Sequence, residues 1–209
     1  RTIDRTLSEN RLRMTSVFDQ YAHLQWGSAG RIQSARGDTG ATDDAFWQQY
    51  IGIYDLQKNY TGMEAIGVSY GDSPTNNVID YVSPQTPDTT RQVGYNMGTN
   101  KDMVTPMTVA AESGQTRLTG TLTQVFSTKQ GVNSKQAGFL MYTPIYDNQL
   151  PLSTPEARLH ALKGFTVSVF RGDQFFNPMG QASDLEHTRM QIYLGDVKPA
   201  NILYDVGKT

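Results

Sequence analysis

The sequence contains no cysteine among its 209 residues. Without thiols the chain can form no disulfide, no thiolate zinc site and no cysteine nucleophile. Charged residues are also scarce, at 18% of the chain, and 18 basic side chains nearly balance 20 acidic ones. Nucleic-acid-binding domains normally carry a basic excess or a basic stripe, so the balance gives no reason to expect a nucleic-acid partner.

Long apolar runs are missing as well. None reaches the roughly 18 to 20 residues that a membrane span needs, and no signal peptide is recognisable. The chain opens at Arg1 inside a helical pattern and closes at Thr209 just after a strand-like segment. We therefore expect it to be a piece of a longer protein. Hydrophobic residues at 37% are enough for a folded core.

The first 35 residues predict one long helix. Its stripe has heptad spacing and is formed by Ile3, Leu7, Asn10, Met14, Val17, Tyr21 and Leu24. One interpretation is a stalk that pairs with a second copy of the chain, with Asn10 setting the register. The other is an amphipathic helix that lies on its own domain, which Leu12 and Phe18 favour because they widen the stripe.

The rest of the chain alternates between strand and helix patterns. Asp43 can cap a second helix, and short strand-like segments follow from residue 65. Two further helices are predicted to begin at Thr105–Pro106 and at Thr154–Pro155. Helices followed by mainly antiparallel strands predict an α+β fold. The helix after Thr154 could join two small sheets, which would split the sheet region near residue 155.

Motifs for catalysis are weak. Residues 67–71 match the nucleophile pattern G-x-S-x-G around Ser69, but that motif needs a helix after the serine, and turn residues follow it here. A strand that ends in a turn is the favoured interpretation, and a serine hydrolase is a remote alternative. His23, His160 and His187 lack metal-ligand spacing, so the sequence predicts no metal site and no cofactor.

Four segments, in order, resemble one known family. They are residues 47–50 with 60–67, residues 93–97, residues 110–119, and residues 138–146 followed by Arg158 and Gly164–Phe165. Together they are similar to the CHASE domain, the extracytoplasmic sensory module of receptor histidine kinases, diguanylate cyclases and adenylyl cyclases. Where the family often has proline, this chain has Thr61.

The resemblance implies a stalk and two stacked PAS-like subdomains, with mainly antiparallel sheets. The corresponding boundaries are 1–60 for the stalk and linker helices, 61–154 for a membrane-distal ligand-binding subdomain, and 155–209 for a membrane-proximal one. It also implies a non-catalytic sensor in the periplasm, carried by a parent anchored in the bacterial inner membrane. A homodimer through the N-terminal helix would accompany that role.

The resemblance also implies a small-molecule pocket. In the family's plant cytokinin receptors a carboxylate hydrogen-bonds the adenine, and its position falls at Asn96, where an amide cannot give a charge-assisted bond. We therefore do not expect a cytokinin, and the ligand is left open. The candidate ligand-binding residues are Tyr95, Asn96, Leu118, Thr119, Phe126, Gly138, Leu140 and Tyr142. Alternatively these residues fill a core, and the domain binds a partner protein or only dimerises.

Overall fold

A computed structural model describes residues 2–35, 43–123, 137–181 and 189–207. The helices are α1 (Thr2–Ser34), α2 (Asp44–Gly52), α3 (Leu56–Asn59), α4 (Lys101–Ser113), α5 (Pro155–Ala161) and α6 (Gly172–Gln181). The strands are β1 (Met63–Ser73), β2 (Asn76–Ser83), β3 (Arg117–Leu118), β4 (Leu122–Thr123), β5 (Ala137–Tyr146), β6 (Leu162–Arg171), β7 (Arg189–Tyr193) and β8 (Ile202–Gly207).

The large sheet is antiparallel and has the strand order β2-β1-β6-β5-β3, with β4 also paired to β5. A separate hairpin of β7 and β8 follows α6. The predicted α+β class, the long N-terminal helix and the mainly antiparallel sheet are confirmed.

The position of β6 bears on the predicted boundary between residues 154 and 155. This strand hydrogen-bonds on both sides, to β1 and to β5, so that Leu140 lies opposite Val169 and Val68 lies opposite Thr166. A division at residue 155 would separate β5 from β6 across their shared ladder. The strand therefore has to be counted with the large sheet, because its hydrogen-bonding partners are there.

Both faces of the large sheet are buried. Side chains alternate along β5, so Phe139 and Met141 pack on the side of α1 and α6, and Leu140 and Tyr142 pack on the side of α4. The sequences of the central strands are consequently almost continuously apolar. The result is three layers, with helix α1 on one face and helices α4 and α5 on the other.

Helix α1 divides into two parts by burial. Tyr21 and Leu24 are buried against the sheet, and Met14 and Val17 pack half-buried on the same core. By contrast, Leu7 is 62% exposed. The second half of the predicted stripe thus lies on its own domain, as the amphipathic alternative expects. Pairing of the first half with another copy stays a prediction.

Helix α4 begins earlier than the sequence predicts. Asn100 is its N-cap, and its Oδ1 accepts a hydrogen bond from the Asp102 amide at 2.9 Å. Pro106 therefore lies inside the helix and does not open it. The side-chain oxygen of Asn100 gives a hydrogen-bond partner to an otherwise unpaired N–H, and the helix therefore begins at residue 101.

Candidate ligand-binding site

A cavity of about 840 Å³ lies between the α4 face of the large sheet and the chain that follows β2. Its floor is apolar and comes from β4, β5, β6, α4 and the short turn before α4. The floor side chains are Leu140, Val167, Val169, Met97, Met103 and Leu122, all of them buried. Two flexible methionines in this floor can adapt to the shape of an occupant.

Opposite the floor, the cavity wall is formed by residues 84–95, which hydrogen bonds hold in place. Glu64 of β1 and Asp102 of α4 also belong to the cavity wall. Thr89 Oγ1 donates to the Pro84 carbonyl at 2.7 Å and accepts from the Thr86 amide at 2.8 Å. The far end is tied to β2, where Ile79 N donates to the carbonyl of Tyr95 at 3.0 Å. The wall is therefore shaped before any occupant arrives, although it has little regular structure.

The charged groups on the cavity wall are mostly acidic. Glu64, Asp88 and Asp102 line it, and Arg91 is the cation among the described lining residues. The guanidinium of Arg91 is itself 3.6 Å from Asp88 at the surface. The acidic excess is not visible in the composition of the chain, which is nearly neutral.

Glu64 is the charged lining residue that lies deepest, with a side chain that is 23% exposed. Its Oε1 is 3.6 Å from a guanidinium nitrogen of Arg171, which is also largely buried. Burial raises the pKa of the Glu64 carboxyl above its usual value, Arg171 opposes that shift, and the negative charges of Asp88 and Asp173 add to it. The carboxylate is therefore incompletely compensated.

Two of the predicted ligand-binding residues line this cavity. Leu140 contributes to the floor from β5, and Tyr95 stands at the end of the wall with a side chain that is 41% exposed. Their role as ligand contacts stays a prediction, but their position on the cavity agrees with it.

Asn96 and Thr119 use their side chains to hold the backbone. Asn96 Oδ1 accepts from the amides of Asn77 at 3.1 Å and Gly98 at 2.9 Å, and so joins β2 to the turn before α4. Thr119 Oγ1 accepts from the Leu140 amide at 2.9 Å. Neither residue is among those that line the cavity, and a structural role explains both.

The remaining predicted residues lie in different places. Leu118 packs half-buried on the α1 side of the sheet, away from the cavity. Gly138 is buried on β5, opposite Leu122 and Arg171. Tyr142 is fully buried against Phe165, and its hydroxyl has no hydrogen-bond partner among the described residues. Phe126 lies outside the described residues.

Ser69 does not form a nucleophile elbow. It is fully buried in the middle of β1, which continues to Ser73, and its hydroxyl donates to the Phe165 carbonyl at 3.3 Å. A nucleophile has to be exposed on a sharp turn between a strand and a helix. The hydrolase alternative is therefore wrong.

Sequence reasoning missed the acidic wall. Glu64 and Asp88 are 24 positions apart and share no motif, and the closure of the wall over the sheet brings both to one cavity. The sequence did contain one indication, which is the single carboxylate in the otherwise apolar run of residues 63–68. Burial of an uncompensated charge is costly, so a carboxylate at such a position indicates a specific role.

The cavity is linked to α1 by hydrogen bonds. Tyr21 Oη donates to the carbonyl of Thr61 at 2.9 Å, and Thr61 is one of the lining residues. Four positions later, the fully buried Gln25 donates from Nε2 to the carbonyls of Met141 at 2.5 Å and Thr166 at 2.8 Å. Helix α1 is thereby fixed to the cavity rim and to two central strands.

Comparison with known families gives one match, to the CHASE domain over residues 70–204, which is more than half of the chain. A search of curated proteins finds no match. Within residues 2–35, 43–123, 137–181 and 189–207, no helix has both the length and the apolar character required to cross a membrane.

Proposed function

Because the chain belongs to the CHASE domain family, we propose that it senses a small molecule that occupies the cavity over the α4 face of the sheet. CHASE domains are extracellular sensor modules of receptors, and they are not catalytic themselves. The single observation that carries the proposal is the cavity itself. About 840 Å³ lies within the range of roughly 300 to 1,000 Å³ that is usual for small-molecule sites.

The composition of the lining supports the same proposal. A buried apolar floor can provide free energy of binding, and polar groups elsewhere on the lining, Glu64 among them, can orient an occupant. A module that only binds a partner protein or dimerises needs no internal space of this size. Small-molecule sensing is therefore favoured over that alternative.

We further propose that the parent is a receptor of the bacterial inner membrane, of the histidine kinase or diguanylate cyclase type, with this chain in the periplasm. Pairing of two copies through the first half of α1 belongs to the same proposal. It is supported by the exposure of Leu7, at 62%, which belongs to the heptad stripe of that half. An exposed leucine on this stripe is what a second copy could cover.

The proposed route of the signal runs from the cavity to α1. An occupant changes the receptor only if it binds two states of the domain with different affinity. Thr61 lines the cavity and accepts the hydrogen bond of Tyr21, so a shift of this segment alters a contact of the helix directly. Gln25 then determines how far α1 can slide on the sheet, because its amide is held by two strands.

The two-lobed arrangement of the family is proposed here in modified form. The large sheet with α4 and α5 forms the ligand-binding lobe. The second lobe is built around α6 and the β7–β8 hairpin and begins after β6. In this form the boundary respects the ladder between β5 and β6.

A thermal-shift screen of small metabolites tests the proposal, with Val167→Phe as the matched variant. Val167 lies on the cavity floor, and the added ring fills part of the space. We expect some compounds to raise the melting temperature of the native chain and to have little effect on Val167→Phe. Val197→Phe, at an 80% exposed position, should respond like the native chain. No stabilising compound, or equal stabilisation of all three proteins, contradicts the proposal.

A further inference from the structure

The polar groups of the cavity discriminate between ligands by charge. The described lining contains three carboxylates and one guanidinium, and the guanidinium of Arg91 already faces Asp88 at 3.6 Å. An anionic occupant would find no free cation on this wall among the described residues, and it would be repelled by Glu64 and Asp102. A cationic occupant would meet the carboxylates of Glu64 and Asp102, which form no ion pair with a lining residue in the described part of the chain.

Glu64 offers a cation a favourable place at the edge of the apolar floor. Its carboxylate is largely removed from water. Among the described residues, the cation that forms an ion pair with it is Arg171, at 3.6 Å, which is outside normal hydrogen-bond distance. Arg171 is shared, because another of its nitrogens lies 3.3 Å from Asp173. One carboxylate oxygen of Glu64 therefore remains able to accept charge-assisted hydrogen bonds from an occupant.

A metal ion is a poor occupant for this place. No three histidine, aspartate or glutamate side chains come together as a metal site in the portion of the chain that the structure describes. Moreover, the floor of the same cavity is apolar, and it includes Met97, Met103 and Leu140. A small hard cation would gain nothing from this floor, whereas an organic cation can bury its hydrocarbon body there.

We propose that the cavity selects small organic cations, such as primary amines, with the ammonium group on Glu64 and an aromatic or aliphatic body on the floor of Met97, Met103, Leu140 and Val167. The inference rests on the proposed function and adds the chemical class of the ligand. Methionine sulfur and methyl groups pack well against aromatic rings, so aromatic amines suit this floor best.

Two matched sets of compounds test the class. Phenethylamine, phenethyl alcohol and hydrocinnamate share one skeleton, and tryptamine, tryptophol and indole propionate share another. Binding of each is measured by isothermal titration and by thermal shift at neutral pH. We expect the amine of each set to bind at least about tenfold more tightly than the acid, because one charge-assisted hydrogen bond replaces one repulsion.

The variant Glu64→Gln should reduce the preference for the amine to about twofold or less, while Glu9→Gln on the exposed part of α1 should leave it unchanged. A tighter alcohol or acid, or an amine preference that survives in Glu64→Gln, overturns the inference but leaves small-molecule sensing intact. If none of the six compounds binds, the proposed selectivity for amines is refuted. The proposed sensing of small molecules is not, because the wider metabolite screen tests it separately. The comparison of compounds in the native chain needs no variant to fold.

Discussion

The hydroxyl of Tyr21 donates a hydrogen bond of 2.9 Å to the carbonyl oxygen of Thr61, 40 residues further along the chain. The tyrosine belongs to the long N-terminal helix, and the carbonyl belongs to a segment that lines the cavity. The Tyr21 ring also stacks on Phe170 of the sheet, and burial raises the pKa of its hydroxyl to about 12. The phenol therefore stays protonated and remains a donor at physiological pH.

Replacing Tyr21 with phenylalanine should separate the hydrogen bond from the packing. The ring and its stacking are kept, and the carbonyl of Thr61 loses its donor. We expect the free energy of unfolding to fall by about 0.5 to 1.5 kcal/mol in urea titrations. Tyr193→Phe, where the exposed hydroxyl bonds Gln191, should change it by less than about 0.5 kcal/mol. Equal effects of the two variants would show that the Tyr21 hydrogen bond contributes no more to the free energy of unfolding than the exposed one.

Gln25 is expected to be one of the most sensitive positions in α1. Gln25→Met keeps the length of the side chain but removes the donors to Met141 and Thr166, while it also removes an Oε1 that is buried without a partner among the described residues. The loss of two buried bonds outweighs that gain, and we expect destabilisation of about 1 to 3 kcal/mol. Chemical denaturation measures it. The exposed Gln149→Met serves as control, and a neutral Gln25→Met would contradict the anchoring role.

Glu64 is expected to reduce stability at neutral pH. Because its pKa is raised in the folded state, the folded protein binds this proton more tightly than the unfolded chain does. The stability of the native chain relative to Glu64→Gln should therefore rise as pH falls through the raised pKa. The change should be complete below the pKa that Glu64 has in the unfolded chain. Arg171 opposes this effect, and Asp88 and Asp173 reinforce it.

Melting temperatures of both proteins between about pH 4 and pH 7 check this expectation. The glutamine variant should be at least as stable as the native chain at neutral pH, and its advantage should shrink as the solution is acidified. A variant that melts lower at neutral pH and recovers in acid would mean that the pair with Arg171 outweighs the cost of burial. A carboxylate kept at a cost to stability is typical of a functional site.

Pairing of α1 is tested by Leu7→Lys. Leu7 is 62% exposed, so the substitution should leave the fold intact while it disrupts an interface between copies. We expect sedimentation to show a dimer for the native chain and for Ser16→Lys, an exposed position off the stripe, and a monomer for Leu7→Lys. A monomeric native chain or a dimeric Leu7→Lys variant would contradict pairing through the first half of α1. A substitution is preferable to deletion of the helix, because Tyr21 and Leu24 belong to the core.

The sequence predicted those parts of the fold that depend on local patterns. Several residues of the family resemblance prove to hold the backbone. Trp47 Nε1 donates to the Ile66 carbonyl at 3.0 Å. Arg158 donates to the carbonyl of Glu112 at the end of α4 and to that of Leu152 in the loop before α5. A side chain at Gly164 would overlap the backbone of Ser69. Motifs of this kind identify a fold readily.

The site was harder to predict because its members meet only after the sheet has closed. Asn96 was predicted to contact a ligand from its place in a family motif, and that role stays a prediction. In the structure its side-chain oxygen joins two backbone segments. Glu64 had no motif and lies on the cavity wall. Local patterns likewise do not reveal the pairing of β6 with both β1 and β5, which joins residues that are up to about a hundred positions apart.

Methyl NMR on the methionines tests the central claim most directly. Met97 and Met103 lie on the cavity floor, whereas Met14 and Met190 pack on the opposite face of the molecule's core. The chain, labelled at the methionine methyls, is titrated with tryptamine and then with any hit from the metabolite screen. If the cavity binds small molecules, we expect saturable shifts of the Met97 and Met103 signals and unchanged signals for Met14 and Met190. Binding that leaves Met97 and Met103 unshifted would contradict a binding site in this cavity.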